Sequence, residues 1–181
     1  VFGKLAKFDD FTDREDESKL LESNFRAKIN TIIISPRRWG KTSLVNRVAE
    51  NINSEKNNIK ICQLDLFNIR TEEDFYIELT NSVLKATSTK MEDFIENAKE
   101  FLSRLVPKIT LSQDYQNELS FGISWEDIKK RPDEILDLAE NIAKSKNLNI
   151  VVCIDEFQSV VDFENPLFFQ KRLRSHWQRH T

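Results

Sequence analysis

A β-branched run, Thr31-Ile-Ile-Ile-Ser35, halts at Pro36, and the polar loop after it ends in Gly40-Lys41-Thr42 just where an amphipathic stretch begins. The spacing predicts a strand over residues 31–35 buried on both faces, then a loop, then a helix over Lys41–Ile52 whose apolar face is Leu44, Val45, Val48 and Ile52. Within it, SPRRWGKTS fits G-x-x-x-x-G-K-[ST] except that Ser35 stands where the first glycine belongs. A loop that wraps a phosphate chain points successive backbone N–H groups inward, and Gly40, one of three glycines in the chain, supplies the backbone freedom before the helix starts. The pattern predicts a phosphate-binding loop formed by Pro36, Arg37, Arg38, Trp39, Gly40, Lys41, Thr42 and Ser43, with Lys41 reaching the β/γ-phosphates and Thr42 holding Mg²⁺. Pro36 gives up one N–H donor, and Arg37 and Arg38 either meet phosphate oxygens or a neighbouring subunit, or are simply solvated.

A second chemical feature lies far along the chain. IVVCIDEF sets Asp155 and Glu156 directly after an apolar run, at the strand end where ligands bind in open parallel sheets. In nucleotidases with a phosphate-binding loop, one carboxylate at this point orients Mg²⁺ and a second aligns or deprotonates the attacking water, which assigns Asp155 and Glu156 in that order. The adjacent pair favours hydrolysis over transfer to a bound acceptor, which needs no water-activating glutamate there. Lys41, Asp155 and Glu156 are therefore the catalytic candidates, and Thr42 and Asp155 the metal candidates.

Between the two, IKICQLDLF (residues 59–67) predicts a second buried strand, followed by helices over Glu72–Ala86 and over Met91–Leu105, the latter ended by Pro107. KITLSQDYQNELSFGIS alternates apolar and polar residues around a polar turn, the pattern of an inserted β-hairpin over 107–125. Pro132 opens a helix over Glu134–Lys146, and NLNIVVCIDEF is a third buried strand. Strands alternating with helices imply an α/β fold with a parallel sheet. Residues 1–30 read as an irregular acidic arm and then a helix carrying Leu20, Leu21 and Phe25.

The 27 Lys and Arg against 30 Asp and Glu give a net charge of −3, so any nucleic-acid surface would have to be local. Cys62 and Cys153 lie inside apolar runs without CxxC spacing and read as reduced core thiols. No run approaches a membrane span and no signal peptide opens the chain, which together predict a cytoplasmic protein with no membrane partner. The start at Val1 and the stop after a basic helical segment read as cut ends.

FTDREDE (Phe11–Glu17), SPRRWGKTSL, VVCIDEFQ and the hairpin region together resemble the archaeal and bacterial ATPase family of the AAA+/STAND group of P-loop proteins. The resemblance implies a three-layer αβα P-loop NTPase binding ATP and Mg²⁺, with residues 1–30 lying near the adenine and 31–181 forming a partial core. It places Phe11, Arg14 and Glu15 beside the base. It also implies a further strand, following the acidic strand in sequence and lying between TIIIS and IVVCID. The expectation is thus an incomplete, truncated core with weak activity in isolation.

Weaker features accompany these. Asp65 ends the second strand and is either near the γ-phosphate or a turn residue. His176 and His180 have metal-ligand spacing without a third ligand, and KRLRSHWQRH groups Lys171, Arg172, Arg174 and Arg179 around Trp177, as a nucleic-acid or subunit contact or a solvated face. Arg172 or Arg174 could also act in trans on a neighbour's phosphate. The leading expectation is Mg²⁺-dependent ATP hydrolysis coupled to conformational change. The alternatives are a non-hydrolysing nucleotide switch and a nucleic-acid-associated ATPase module, with self-association or a partner protein left open.

Overall fold

The structure, a computed structural model, describes residues 14–36, 38–55, 57–102, 110–113, 119–122 and 131–180. In chain order these form α1 (Glu15–Arg26), α2 (Lys41–Ser54), β1 (Ile59–Asp65), α3 (Glu72–Ala86), α4 (Met91–Leu102), β2 (Thr110–Gln113), β3 (Leu119–Gly122), α5 (Pro132–Leu136), α6 (Leu138–Lys146), β4 (Asn149–Asp155), a 3-10 helix (Phe157–Asp162) and α7 (Pro166–Trp177). None of the described helices is long and apolar enough to cross a membrane.

The organising element is a parallel pair, β1 with β4, in unbroken register from Ile59 opposite Asn149 to Asp65 opposite Asp155. Strand side chains alternate between faces, so two separate cores form on it. Ile59, Ile61, Val151 and Cys153 meet α1 and α2 through Leu21, Phe25, Leu44, Val48 and Ile52. On the other face, Cys62, Leu64, Ile150, Val152 and Ile154 meet the helices that follow β1, including Phe75, Leu79 and Val83 of α3, Ile142 of α6 and Phe169 of α7. Helices thus cover both faces of the sheet. β2 and β3 pair antiparallel, Thr110 opposite Gly122, inside the stretch where alternation predicts a hairpin.

Local chemistry explains several boundaries. α3 begins at Thr71, whose hydroxyl accepts the Asp74 N–H (3.1 Å) and donates to the Asp74 carboxylate (2.7 Å). α7 starts with Pro166, whose missing N–H costs nothing in a first turn. The helix expected over Glu134–Lys146 is instead two, α5 and α6, meeting at Asp137 (φ −85°, ψ −2°). Leu105, the expected end of α4, lies outside the described residues.

The main correction concerns residues 31–35. They join no ladder, and Ile32 and Ile34 are 86% and 89% exposed, while Ile33 alone turns in toward the α1/α2 core. An extended segment becomes a buried strand only when neighbours satisfy its backbone on both sides, and among the described residues none pairs with it. For the same reason β4, expected to be buried, is half-exposed along its whole length.

The C-terminal helix is held by aromatic packing and by a polar clasp. Phe169 is fully buried and sits edge-to-face with Phe75 and Phe163, ring centres 4.9 Å away in each case. His176 Nδ1 and His180 Nε2 both lie 2.9 Å from Asp137 Oδ1, and His176 Nε2 lies 3.2 Å from Asp133. Burial pushes the Asp137 carboxyl up, but hydrogen bonds from His180 and His176 outweigh this and leave it below its usual value. Phe169→Ala is expected to cost about 3 to 5 kcal/mol of stability, read by urea unfolding. A carboxyl whose pKa is lowered by folding stabilises above its unfolded pKa and loses that contribution as pH falls through its folded one. Stability should therefore decline as pH drops below about 4, and Asp137→Asn should flatten that decline in unfolding curves collected across pH.

Candidate functional site

The site candidates converge on the end of the sheet where both strands finish. β4 runs into Asp155, and Asp65 lies opposite it in register. The Asp155 carbonyl accepts the Leu66 N–H (3.1 Å), which continues the parallel ladder past the end of β1. α2 lies across one face of this sheet on Leu44, Val48 and Ile52, and its first turn reaches the same end. There the Thr42 hydroxyl donates to Asp155 Oδ2 at 2.5 Å, joining two segments far apart in sequence.

The loop before α2 turns sharply. Arg38 (φ 67°) and Gly40 (φ 71°) are both left-handed, a conformation that a side chain at position 40 would strain even though a Cβ there meets no atom within 4 Å. The Trp39 N–H donates to the Pro36 carbonyl (3.4 Å), and Lys41 Nζ folds back to donate to the Ser35 carbonyl (3.3 Å). Trp39 is 60% exposed, whereas Ser43 is buried. Arg37 lies outside the described residues.

α2 differs from its neighbours at its N-terminus. α1 opens with Glu15, Asp16 and Glu17, α3 with Glu72, Glu73 and Asp74, and α4 with Glu92 and Asp93, while the first turn of α2 holds no acidic residue. No side chain caps it either. A first turn without acidic residues, which α7 also has, leaves the positive end of the helix dipole uncompensated, a setting compatible with an external anion.

Glu156 follows β4 in the left-handed conformation (φ 52°, ψ 37°) and reverses the chain into the 3-10 helix. Its N–H donates to Asp155 Oδ1 (2.9 Å), so both Asp155 oxygens are engaged, one by Thr42 and one by the next peptide. The Glu156 side chain accepts a hydrogen bond from the Gln158 amide, a residue that sequence spacing did not single out. A hydroxyl and a carboxylate in contact are hard oxygen donors suited to Mg²⁺, which takes one or two protein ligands when phosphate oxygens supply others. Among the described residues no group of three or more His, Cys, Asp or Glu is placed to hold a metal by itself.

Other candidates lie elsewhere or are already engaged. Asp65 Oδ1 accepts the Phe67 N–H (2.9 Å), the turn role. Arg14 starts α1, its carbonyl accepting from the Ser18 hydroxyl (2.7 Å), and exposed Glu15 pairs with Lys19; Phe11 lies outside the described residues. His176 and His180 share the Asp137 carboxylate. Arg172, considered as a trans-acting group, is tied within its own chain to the Tyr76 hydroxyl (3.2 Å) and Glu72 (3.5 Å), over the Phe168 ring. Both cysteines are free, and burial pushes the Cys153 thiol up to about 11 and Cys62 higher still, so neither is a ready nucleophile.

No curated protein and no solved structure matches the chain significantly. A family described as an ATPase domain predominantly from Archaea matches residues 11–181, which include the loop before α2, the acidic end of β4 and every element between them. The chain belongs to that family of ATPase domains.

Proposed function

We propose that the chain binds ATP and hydrolyses it with Mg²⁺ at the sheet end formed by Gly40–Ser43 and Asp155–Glu156. The observation that carries this reading is the hydrogen bond from Thr42 to Asp155, which joins the start of α2 to the end of β4. Backbone N–H groups at the start of α2, in the loop from Pro36 to Ser43, would hold phosphate oxygens, with Lys41 released from the Ser35 carbonyl to meet the β/γ-phosphates. Thr42 and Asp155 would hold Mg²⁺. When bound, the ion supplies charge neutralisation on the phosphate oxygens.

Glu156 is assigned to the water. Its carboxylate orients a water molecule and accepts its proton as the water oxygen bonds to the γ-phosphorus and the bond to the bridging oxygen breaks. The products are ADP and inorganic phosphate, and the proton passes from Glu156 to phosphate or solvent. Arg14 at the head of α1 is proposed to lie toward the base, with the nucleotide as the one partner the family supports. Hydrolysis would be coupled to movement of α2 relative to the end of β4, because their joining contact involves two residues of the proposed site.

Phosphate release and ATP binding, measured on the same preparations, test the assignment. Lys41→Ala is expected to weaken ATP binding about tenfold or more, the scale of a lost charge-assisted contact. Glu156→Gln is expected to keep ATP binding and to slow phosphate release about 100-fold. Unchanged release in Glu156→Gln overturns the hydrolytic role. Binding with no release in the parent chain would leave a nucleotide switch.

A further inference from the structure

We infer that Gln158 is a positioning residue for hydrolysis: its side-chain amide holds one oxygen of the Glu156 carboxylate and leaves the other to face the attacking water. This inference rests on the reading of Glu156 given above. A glutamate side chain has three rotatable bonds and, only half-buried at a strand end as Glu156 is, would sample several directions without a restraint. A general base acts only within hydrogen-bond reach of its proton, so the direction of that carboxylate decides its usefulness.

The geometry supplies the restraint. Glu156 is left-handed, its N–H is fixed on Asp155 Oδ1, and its carbonyl accepts the Ser159 N–H (2.9 Å), so its backbone is held at both ends. That backbone fixes where the side chain leaves the chain. The turn then brings Gln158, two residues on, back over it, and Gln158 Nε2 donates to Glu156 Oε2. The 3-10 helix carrying Gln158 is itself anchored, since Val160 and Phe163 are buried in the core beneath it and Phe163 stacks edge-on against Phe169.

A primary amide suits this task. It donates without carrying charge, so it restrains the carboxylate without cancelling the negative charge the base needs, as an arginine or lysine there would tend to do. It also occupies a single carboxylate oxygen, leaving the lone pairs of the other available. Gln158 is exposed, so replacing it removes no core packing.

The test compares Gln158→Ala, the isosteric Gln158→Glu, which lacks the donor, and Gln158→Arg, which keeps N–H donors, with the parent and with Glu156→Gln. The expected result is a kcat about tenfold lower for Gln158→Ala and Gln158→Glu, with KM for ATP within about twofold and unfolding midpoints unchanged, and a smaller loss for Gln158→Arg. A residue of purely structural importance would not rank variants by donor. An independent readout needs no turnover: the side-chain amide protons of Gln158, followed by nitrogen-15 NMR, should shift when Glu156 is replaced by Ala. If kcat is unchanged or raised in Gln158→Ala while Glu156→Gln abolishes release, or if the amide signals ignore Glu156, the positioning role is overturned. If Glu156→Gln itself retains release, the reading beneath it fails first, and the inference falls with it.

Discussion

The parallel ladder between β1 and β4 is the constraint on which the rest depends. Its register sends Cys62, Leu64, Ile150, Val152 and Ile154 to one face and Ile59, Ile61, Val151 and Cys153 to the other, so a slip of one residue would exchange the two cores. Because the strands are parallel, they also finish together. Asp65 and Asp155 reach one end of the sheet, and the helix laid on the α1/α2 face delivers Thr42 to the same place. The packing that builds the domain is thus the packing that assembles the candidate site.

That site runs against local helix chemistry. Acidic residues in a first turn stabilise a helix by roughly 0.3–1 kcal/mol each through its dipole, and α1, α3 and α4 all use them. α2 has Lys-Thr-Ser there and no cap, although the same chain readily makes a threonine cap at α3. Its stability must come from the apolar face of Leu44, Val48 and Ile52 instead. α7 shares both features and is likewise held by its buried face, through Phe169 and Leu173, so what sets α2 apart is that its bare first turn brings Thr42 to Asp155.

The same division decides what the sequence could reveal. α3 was legible from Glu72 to Ala86 because its apolar stripe and acidic start agree, and the end of β4 was legible because apolar residues followed by two carboxylates have few readings. Residues 31–35 misled because β-branched composition reports that a segment would suit a buried strand, whereas burial depends on neighbours that composition does not contain. The break at Asp137 was hidden for a related reason. Its two histidine partners, His176 in α7 and His180 just past its end, lie far along the chain, and only the fold brings them to it. Gln158 entered only as the last residue of VVCIDEFQ, without a role, since neither periodicity nor spacing shows the carboxylate that it meets in the fold.

Backbone strain shows where these demands meet. Of the four described non-glycine residues that are left-handed, Lys28 and Asn147 follow helices elsewhere, while Arg38 and Glu156, at about 1 kcal/mol each, lie in the two segments that the Thr42–Asp155 bond joins. Neither conformation would persist unless surrounding contacts over-determined it. At Glu156 those contacts are the Asp155 carboxylate, the Ser159 N–H and the burial of Val160 and Phe163 beyond the turn. The aromatic cluster around Phe169 is therefore connected through Phe163 to the direction in which Glu156 points. Loosening that cluster should release the strained turn before it unfolds the sheet, because the ladder between β1 and β4 has its own support on both faces while the turn is anchored on one.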